Sequence, residues 1–261
     1  MEYLIKAEGL RKTFRQSKKQ RKINKSELKV KVALDGVSFK CVAGEVYGLL
    51  GPNGAGKTTA LRILSTLIKA DEGTAEICGA DIKANPFCVR KSIAFLTTEL
   101  KLDETFTPNY LYNFYSSLHG VSHEERDKRK AVLFEKFGVD KFAEVKVGEM
   151  STGMKQKVSL TISMCHDPKV VIYDEPTNGL DVLTAKVVTD FLAELKSQGK
   201  CIIVSTHIFA LIEKVCDRVG IIINGKMVAE DTLKNICKGK SLDDRFFEIF
   251  DQVTATEEVP A

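Results

Sequence analysis

The feature that most constrains this chain is an apolar run that enters a glycine-rich turn. Val46-Tyr47-Gly48-Leu49-Leu50 leads directly into Gly51-Pro52-Asn53-Gly54-Ala55-Gly56-Lys57-Thr58. The pattern is GxxxxGK[ST], and it needs a strand before it and a helix after it. The apolar run supplies the strand, and Thr58 to Leu67 is patterned as the helix. Glycines let backbone N–H groups turn inward around phosphate oxygens, where a Cβ would collide. The helix N-terminus adds partial positive charge. Lys57 is a point charge for phosphate oxygens, and the Thr58 hydroxyl suits Mg²⁺. Gly51, Asn53, Gly54, Ala55, Gly56, Lys57, Thr58 and Thr59 are therefore the candidate nucleotide contacts.

The rest of the chain is compatible with such a core. Its 261 residues are enough for one large domain or one domain with an appendage. Further apolar runs occur at Ile93 to Leu96, Val170 to Tyr173, Cys201 to Ser205 and Val219 to Ile223. They alternate with helical patterns, as in an α/β fold with a largely parallel sheet. Val37 to Val42 alternates at period two, the mark of an antiparallel strand with one polar face. Between about Thr105 and Gly148 strand signals stop. Leu111, Phe114, Tyr115 and Leu118 are spaced as the apolar face of a helix. Ser122 with Glu125 begins a second helix as a capping box, and Gly138 ends it.

Several classes are excluded. The seven cysteines are odd in number and include no CxxC, so neither a disulfide framework nor a zinc ribbon is supported. The longest uncharged stretch, Thr105 to His123, is broken by Pro108, Asn109 and Asn113 and would not span a bilayer. There is no acceptor site for a kinase and no guanine-reading Asn-Lys-x-Asp.

A second half-site lies downstream. Val170-Val171-Ile172-Tyr173-Asp174-Glu175 is an apolar strand ending in two carboxylates. Such a strand delivers Asp174 to the sheet edge where α/β proteins bind ligands. Asp174 is placed to hold Mg²⁺ with Thr58, and Glu175 to polarise an attacking water; capping of the next turn is the alternative reading of the two acids.

The resemblance here is specific. Tyr173-Asp-Glu-Pro-Thr-Asn-Gly-Leu-Asp181 resembles the Walker B motif and D-loop of ABC ATPases. Met150-Ser151-Thr152-Gly153-Met154-Lys155-Gln156-Lys157 is similar to their signature, and Val204-Ser205-Thr206-His207 to their switch histidine. The likeness covers about residues 3–230 and implies a P-loop NTPase core of mostly parallel sheet. An antiparallel β subdomain and an inserted helical subdomain, about 100–165, accompany it. Residues 1–230 would form the ATPase domain and 231–261 a short helical tail. The tail would comprise helices at Thr232–Cys237 and Leu242–Phe250, frayed from Thr254 onward.

The resemblance also implies roles. Glu175 and His207 would act in hydrolysis of ATP, with Mg²⁺ as cofactor. Ser151 and Gly153 would contact ATP held by a second ABC ATPase domain, identical or paralogous, and Asp181 would support that partner's site. Phe14 sits where the family often places an aromatic under adenine; a core phenylalanine is the alternative reading. The implied assembly is a transporter subunit with a separate integral-membrane permease, cytoplasmic and peripheral at the inner face of the membrane. A soluble ABC ATPase acting on nucleic acid or ribosomes is the runner-up, and no nucleic-acid partner is expected. The Thr-Thr-Glu-Leu-Lys-Leu run at 97–102, the variant signature and the C-terminal Leu242–Phe250 segment together resemble the bacterial sodium-export type.

Three departures stand out. Thr98 occupies the place of a family glutamine that reaches Mg²⁺ and is too short to do so alone, and Glu99 is its neighbour. The signature has Thr152 and Met154 for glycine and glutamine. A basic insertion spans about 15–31; from Arg11 to Lys31 there are ten Lys or Arg against Glu27 alone, while the whole chain carries only +4. A solvated hairpin extension, an anionic membrane surface and nucleic acid are the readings open for it.

Overall fold

The computed structural model describes residues 3–23, 29–97, 102–178 and 180–257. In chain order the elements are β1 (Tyr3–Arg15), α1 (Lys18–Ile23), β2 (Val30–Val42), β3 (Val46–Leu50), α2 (Lys57–Leu64), β4 (Glu72–Ile77), β5 (Ala80–Asp81), α3 (Pro86–Ser92), β6 (Ile93–Thr97), α4 (Pro108–Leu118), α5 (His123–Phe137), α6 (Thr152–Ser163), β7 (Val170–Asp174), α7 (Val182–Ser197), β8 (Cys201–Thr206), α8 (Phe209–Val215), β9 (Arg218–Ile223), β10 (Lys226–Thr232), α9 (Leu233–Cys237) and α10 (Leu242–Glu257).

A six-stranded sheet of order β10-β9-β3-β8-β7-β6 carries the site. Its strands run parallel except β10, which pairs antiparallel with β9. Every residue of β3, β7 and β8 is buried, which is why these segments read as unbroken apolar runs. A second, antiparallel sheet has order β2-β1-β4-β5. One apolar cluster joins the two sheets and α2 through residues such as Ile5, Leu34, Leu49, Leu61 and Ile172. The other lies on the opposite face, where α4 to α10 contribute Tyr112, Phe137, Val158, Leu192, Ile212 and Phe246. The fold is thus mixed α/β, with parallel and antiparallel sheets and helices inserted between β6 and β7.

Three local expectations are revised. The helix after the glycine turn stops at Leu64 rather than Leu67. Thr66 takes a left-handed φ of 59°, and the Thr66 and Leu67 N–H groups donate back to Ile63 and Arg62, which closes the helix end.

In α4 the buried face is Leu111, Tyr112 and Ser116, whereas Phe114 and Tyr115 are more than a third exposed and Leu118 is 65% exposed. Tyr112 meets Phe134 edge-on at 5.5 Å, and the Ser116 hydroxyl donates to the Tyr112 carbonyl at the buried seam. That bond lets a serine occupy the core without an unpaired hydroxyl, so the apolar spacing misjudged the inward face.

Helix α10 continues through Thr254 to Glu257. Its Leu242, Phe246 and Ile249 are buried in the same apolar cluster as the main sheet, which supports the helix along its length. Residues 258–261 lie outside the described residues.

The basic insertion begins as a continuation of the β1–β2 ribbon, whose pairing reaches Arg15 and Val30. Gln16 N–H donates to the Lys29 carbonyl at 2.9 Å, and α1 follows.

Candidate functional site

The glycine turn sits between β3 and α2, and its shape is held from two sides. A Cβ on Gly56 would run into the Ala33 carbonyl of β2, and φ there is 114°, a left-handed value. A Cβ on Gly51 would run into the Ile222 carbonyl of β9. The Ala55 carbonyl accepts from Gly225 N–H at 2.9 Å, and the Gly225 carbonyl accepts from Asp35 N–H at 2.8 Å. The turn is therefore pinned to both sheets. Gly51 and Ala55 are buried within it. Phe14, Asn53, Gly54, Gly56, Lys57, Thr58, Thr59 and Glu175 line one cavity of about 260 Å³.

Lys57 is only 5% exposed. Its Nζ donates to the carbonyls of Gly51 at 2.7 Å and Pro52 at 3.2 Å and lies 3.7 Å from Glu175 Oε1. Burial lowers its pKa, and the carboxylates of Glu175 and Asp174 oppose that shift. The ammonium is thus an electrostatic group in a poorly solvated place, where an anion gains more from it than in water.

Strands β7 and β8 end side by side and bring the acids to the turn. Asp174 pairs in register with Ser205 on one side and with Thr97 on the other. Asp174 Oδ1 accepts from Thr58 Oγ1 at 3.2 Å and from the Ser205 hydroxyl. A hydroxyl and a carboxylate are hard oxygen donors of the kind Mg²⁺ takes, with water and phosphate completing its shell, so Thr58 and Asp174, the latter held by Ser205, fit that ion.

Glu175 leaves the strand at φ 52°, a left-handed value that costs a non-glycine residue about 1–2 kcal/mol. Its N–H donates to the Ser205 carbonyl at 3.0 Å and holds the turn. The result is that consecutive carboxylates point to different neighbours. Glu175 Oε1 is 3.1 Å from His207 Nδ1, and Oε2 accepts from Thr206 Oγ1 at 3.3 Å.

Ser205 and Thr206 stand in the Val204-Ser205-Thr206-His207 run, but that run assigns neither a role of its own. The available signal was two hydroxyl residues ending an otherwise apolar strand, both fully buried. Thr98 and Glu99 lie outside the described residues, next to Thr97 at the end of β6.

Ser151, Gly153 and Asp181 form a second group, and none of them lines the cavity among the described residues. Ser151 is exposed and caps α6, its hydroxyl accepting from Met154 N–H at 3.3 Å. Asp181 caps α7, accepting from Leu183 and Thr184 N–H groups, both at 3.0 Å, and from Thr184 Oγ1 at 2.7 Å. These bonds hold its carboxyl below the usual carboxylate range. A Cβ on Gly153 would lie 3.2 Å from Thr184 Oγ1, so the two helix starts pack closely at that glycine.

The family model described as ABC transporter matches residues 34–178. An ABC transporter ATP-binding protein of Methanocaldococcus jannaschii is 38% identical over 208 residues, 80% of this chain and 75% of that protein. A Nod factor export ATP-binding protein of Burkholderia orbicola is 36% identical, over 77% of this chain and 66% of that protein. Among solved structures, an ATP-binding subunit of an ABC transporter superposes with a TM-score of 0.83 at 28% identity, covering 95% of this chain and 99% of the other. A dimeric ATP-binding cassette in a post-hydrolysis state with ADP and Pi superposes with a TM-score of 0.75 at 25% identity, covering 88% of this chain and 98% of the other. With these relatives, and a glycine cradle facing two strand-end carboxylates, this chain belongs to the ABC transporter family as an ATP-hydrolysing, ATP-binding cassette.

Proposed function

We propose that this cassette powers an exporter by hydrolysing ATP within a pair of such domains docked on a membrane permease. The single observation that carries the catalytic part is the Glu175 carboxylate, held at once by Lys57, Thr206 and His207 over the phosphate loop. Backbone N–H groups of residues 53–58 and Lys57 bind the β- and γ-phosphates, and Thr59 contacts the α-phosphate. Phe14, 41% exposed at the cavity wall, offers adenine a flat apolar face. Thr58 and Asp174, with Ser205 orienting the carboxylate, would hold Mg²⁺, which neutralises phosphate charge when bound. Glu175 takes the proton of the attacking water, and His207 holds that carboxylate and the water in line.

Ser151 and Gly153, at an exposed helix start outside the cavity, suit an anion brought by another molecule. Here that anion is the γ-phosphate of ATP on a second cassette, identical or paralogous. Asp181 braces the facing site. ATP then joins the two cassettes, and loss of the γ-phosphate releases them.

Among the described residues no helix is long and apolar enough to cross a membrane. The permease reading rests on α4, whose outer face shows Tyr110, Phe114, Tyr115 and Leu118 together with Phe106. Phe106 stacks on Tyr110 at 4.3 Å and Tyr110 on Phe114 at 6.3 Å, a continuous aromatic strip. Exposed apolar patches of this kind mark interaction sites. Export as the direction of transport follows the Nod factor export protein among its relatives. In that assembly the cassette sits at the cytoplasmic face of the membrane. Its ATPase domain runs to the end of β10 at Thr232, two residues beyond the expected boundary at 230, with the helical subdomain near 100–165, and α9 and α10 form the helical tail.

The test is the Glu175→Gln variant. ATP should convert it to a stable dimer by light scattering while phosphate release falls by about 100-fold or more. A variant that stays monomeric with ATP and hydrolyses at the wild-type rate contradicts the proposal.

A further inference from the structure

The base of the basic insertion reaches the nucleotide cavity. In the β1–β2 ribbon Phe14 pairs directly with Lys31, so the two side chains share one face. Lys31 lines the same cavity as Phe14, Gly54 and Lys57. Its Nζ lies 3.6 Å from where a Cβ on Gly54 would stand. Neighbouring cations of the ribbon are engaged elsewhere: Lys12 with Asp71 at 2.7 Å, and Arg11 with Glu72 at 3.0 Å. No carboxylate pairs with Lys31 among the described residues.

The charge balance of the cavity makes this position informative. Lys57 is held inward by two carbonyls and by Glu175, so part of its charge is already neutralised inside the protein. Asp174 and Glu175 stand at the same end of the sheet. A triphosphate entering here meets two carboxylates and one committed ammonium. Lys31 supplies a second ammonium from the opposite wall, at the tip of the loop and beside the aromatic that faces the base.

We propose that Lys31 is a phosphate-binding residue of the nucleotide site. It contacts the phosphate chain on the side of Gly54, between Phe14 and the loop, and so adds charge recognition from the insertion to the backbone cradle. The inference rests on the assignment of the cavity as the ATP site.

The test is equilibrium binding of ATP, ADP and adenosine to the full chain and to Lys31→Met, Lys31→Arg and Lys57→Ala, at low and high salt. Lys31→Met should weaken ATP and ADP about five- to tenfold at low salt, the size expected of one charge-assisted contact near the surface. The gap should narrow at high salt, because an exposed cation is screened. Lys31→Arg should stay within about twofold of wild type, and adenosine should bind alike to all of them. An unchanged thermal midpoint for Lys31→Met shows that its fold is intact. If Lys31→Met binds ATP as wild type does while Lys57→Ala does not, the Lys31 assignment fails and the ATP site stands. Equal losses for adenosine and ATP also overturn it, since the contact is then not to phosphate. Wild-type ATP affinity in Lys57→Ala removes the site assignment and this inference together.

Discussion

Glu175 Oε1 lies 3.1 Å from His207 Nδ1, and the same oxygen faces Lys57 Nζ at 3.7 Å. One carboxylate thus touches a group from the phosphate loop and a group from the end of β8. Its orientation depends on both, and on the left-handed turn that separates it from Asp174.

His207→Ala removes one of these holds and should lower ATP turnover by about 10- to 100-fold. ATP affinity should change by less than about threefold, since the loop and Lys57 remain. Steady-state phosphate release and nucleotide titration measure the two quantities. Wild-type turnover would show that Thr206 and Lys57 position Glu175 without the imidazole.

Gly56→Ala should be strongly destabilising. The new methyl group meets the Ala33 carbonyl, and φ at this position is 114°. Strain and steric overlap together should cost about 2 kcal/mol or more in urea unfolding. Gly79→Ala is the useful contrast, because nothing lies within 4 Å of a Cβ there and only the φ of 78° is unfavourable.

Replacing residues 17–28 by a two-residue Asn-Gly turn should leave ATPase activity within about twofold of wild type. The ribbon pairing that positions Phe14 and Lys31 ends at Arg15 and Val30, outside the deleted segment. A dead enzyme with a native thermal midpoint would give the insertion a part in catalysis.

His166 should make the fold acid-sensitive. Its ring stacks on His119 at 3.7 Å, and Nε2 meets the Ile93 carbonyl at 3.0 Å. Burial, with the neighbouring His119 next, brings its pKa down to about 4. Arg129 and Asp167 also face it, and Lys91 acts on His119. An unfolded histidine takes up its proton near pH 6.5, so between about pH 6.5 and 4 the unfolded state holds more protons. The stabilisation is complete above that window and is lost as pH falls through it, on the order of 3 kcal/mol. Denaturant midpoints at pH 7.5 and 4.5 should differ less in His166→Gln than in wild type.

Much of this molecule was legible before its structure, for identifiable reasons. The glycine turn demands a fixed order of residue types, and buried parallel strands leave unbroken apolar runs such as Val170 to Tyr173. What was harder to read depended on side-chain partners. Ser116 is buried in α4 because its hydroxyl closes on Tyr112, while Phe114 and Leu118, spaced with the buried Leu111, face outward, so hydrophobic spacing alone got only one edge of the inward face. The end of α2 was set by a left-handed Thr66, which carries no glycine to announce it. Ser205 and Thr206 gain their places from Asp174 at the end of β7 and Glu175 just beyond it, a relation across strands that no local pattern contains. The tail helix outlasts Thr254 because its buried face packs on the main core.

The clamping of the phosphate loop by β2 and β9 bears on the energetics of each cycle. Gly51 and Gly56 are wedged against carbonyls of two sheets, and Ala55 is tied to Gly225, so the fold itself sets the shape of the turn. The cradle is preorganised: nucleotide capture loses little to ordering of the chain, and binding energy remains for closing the assembly instead.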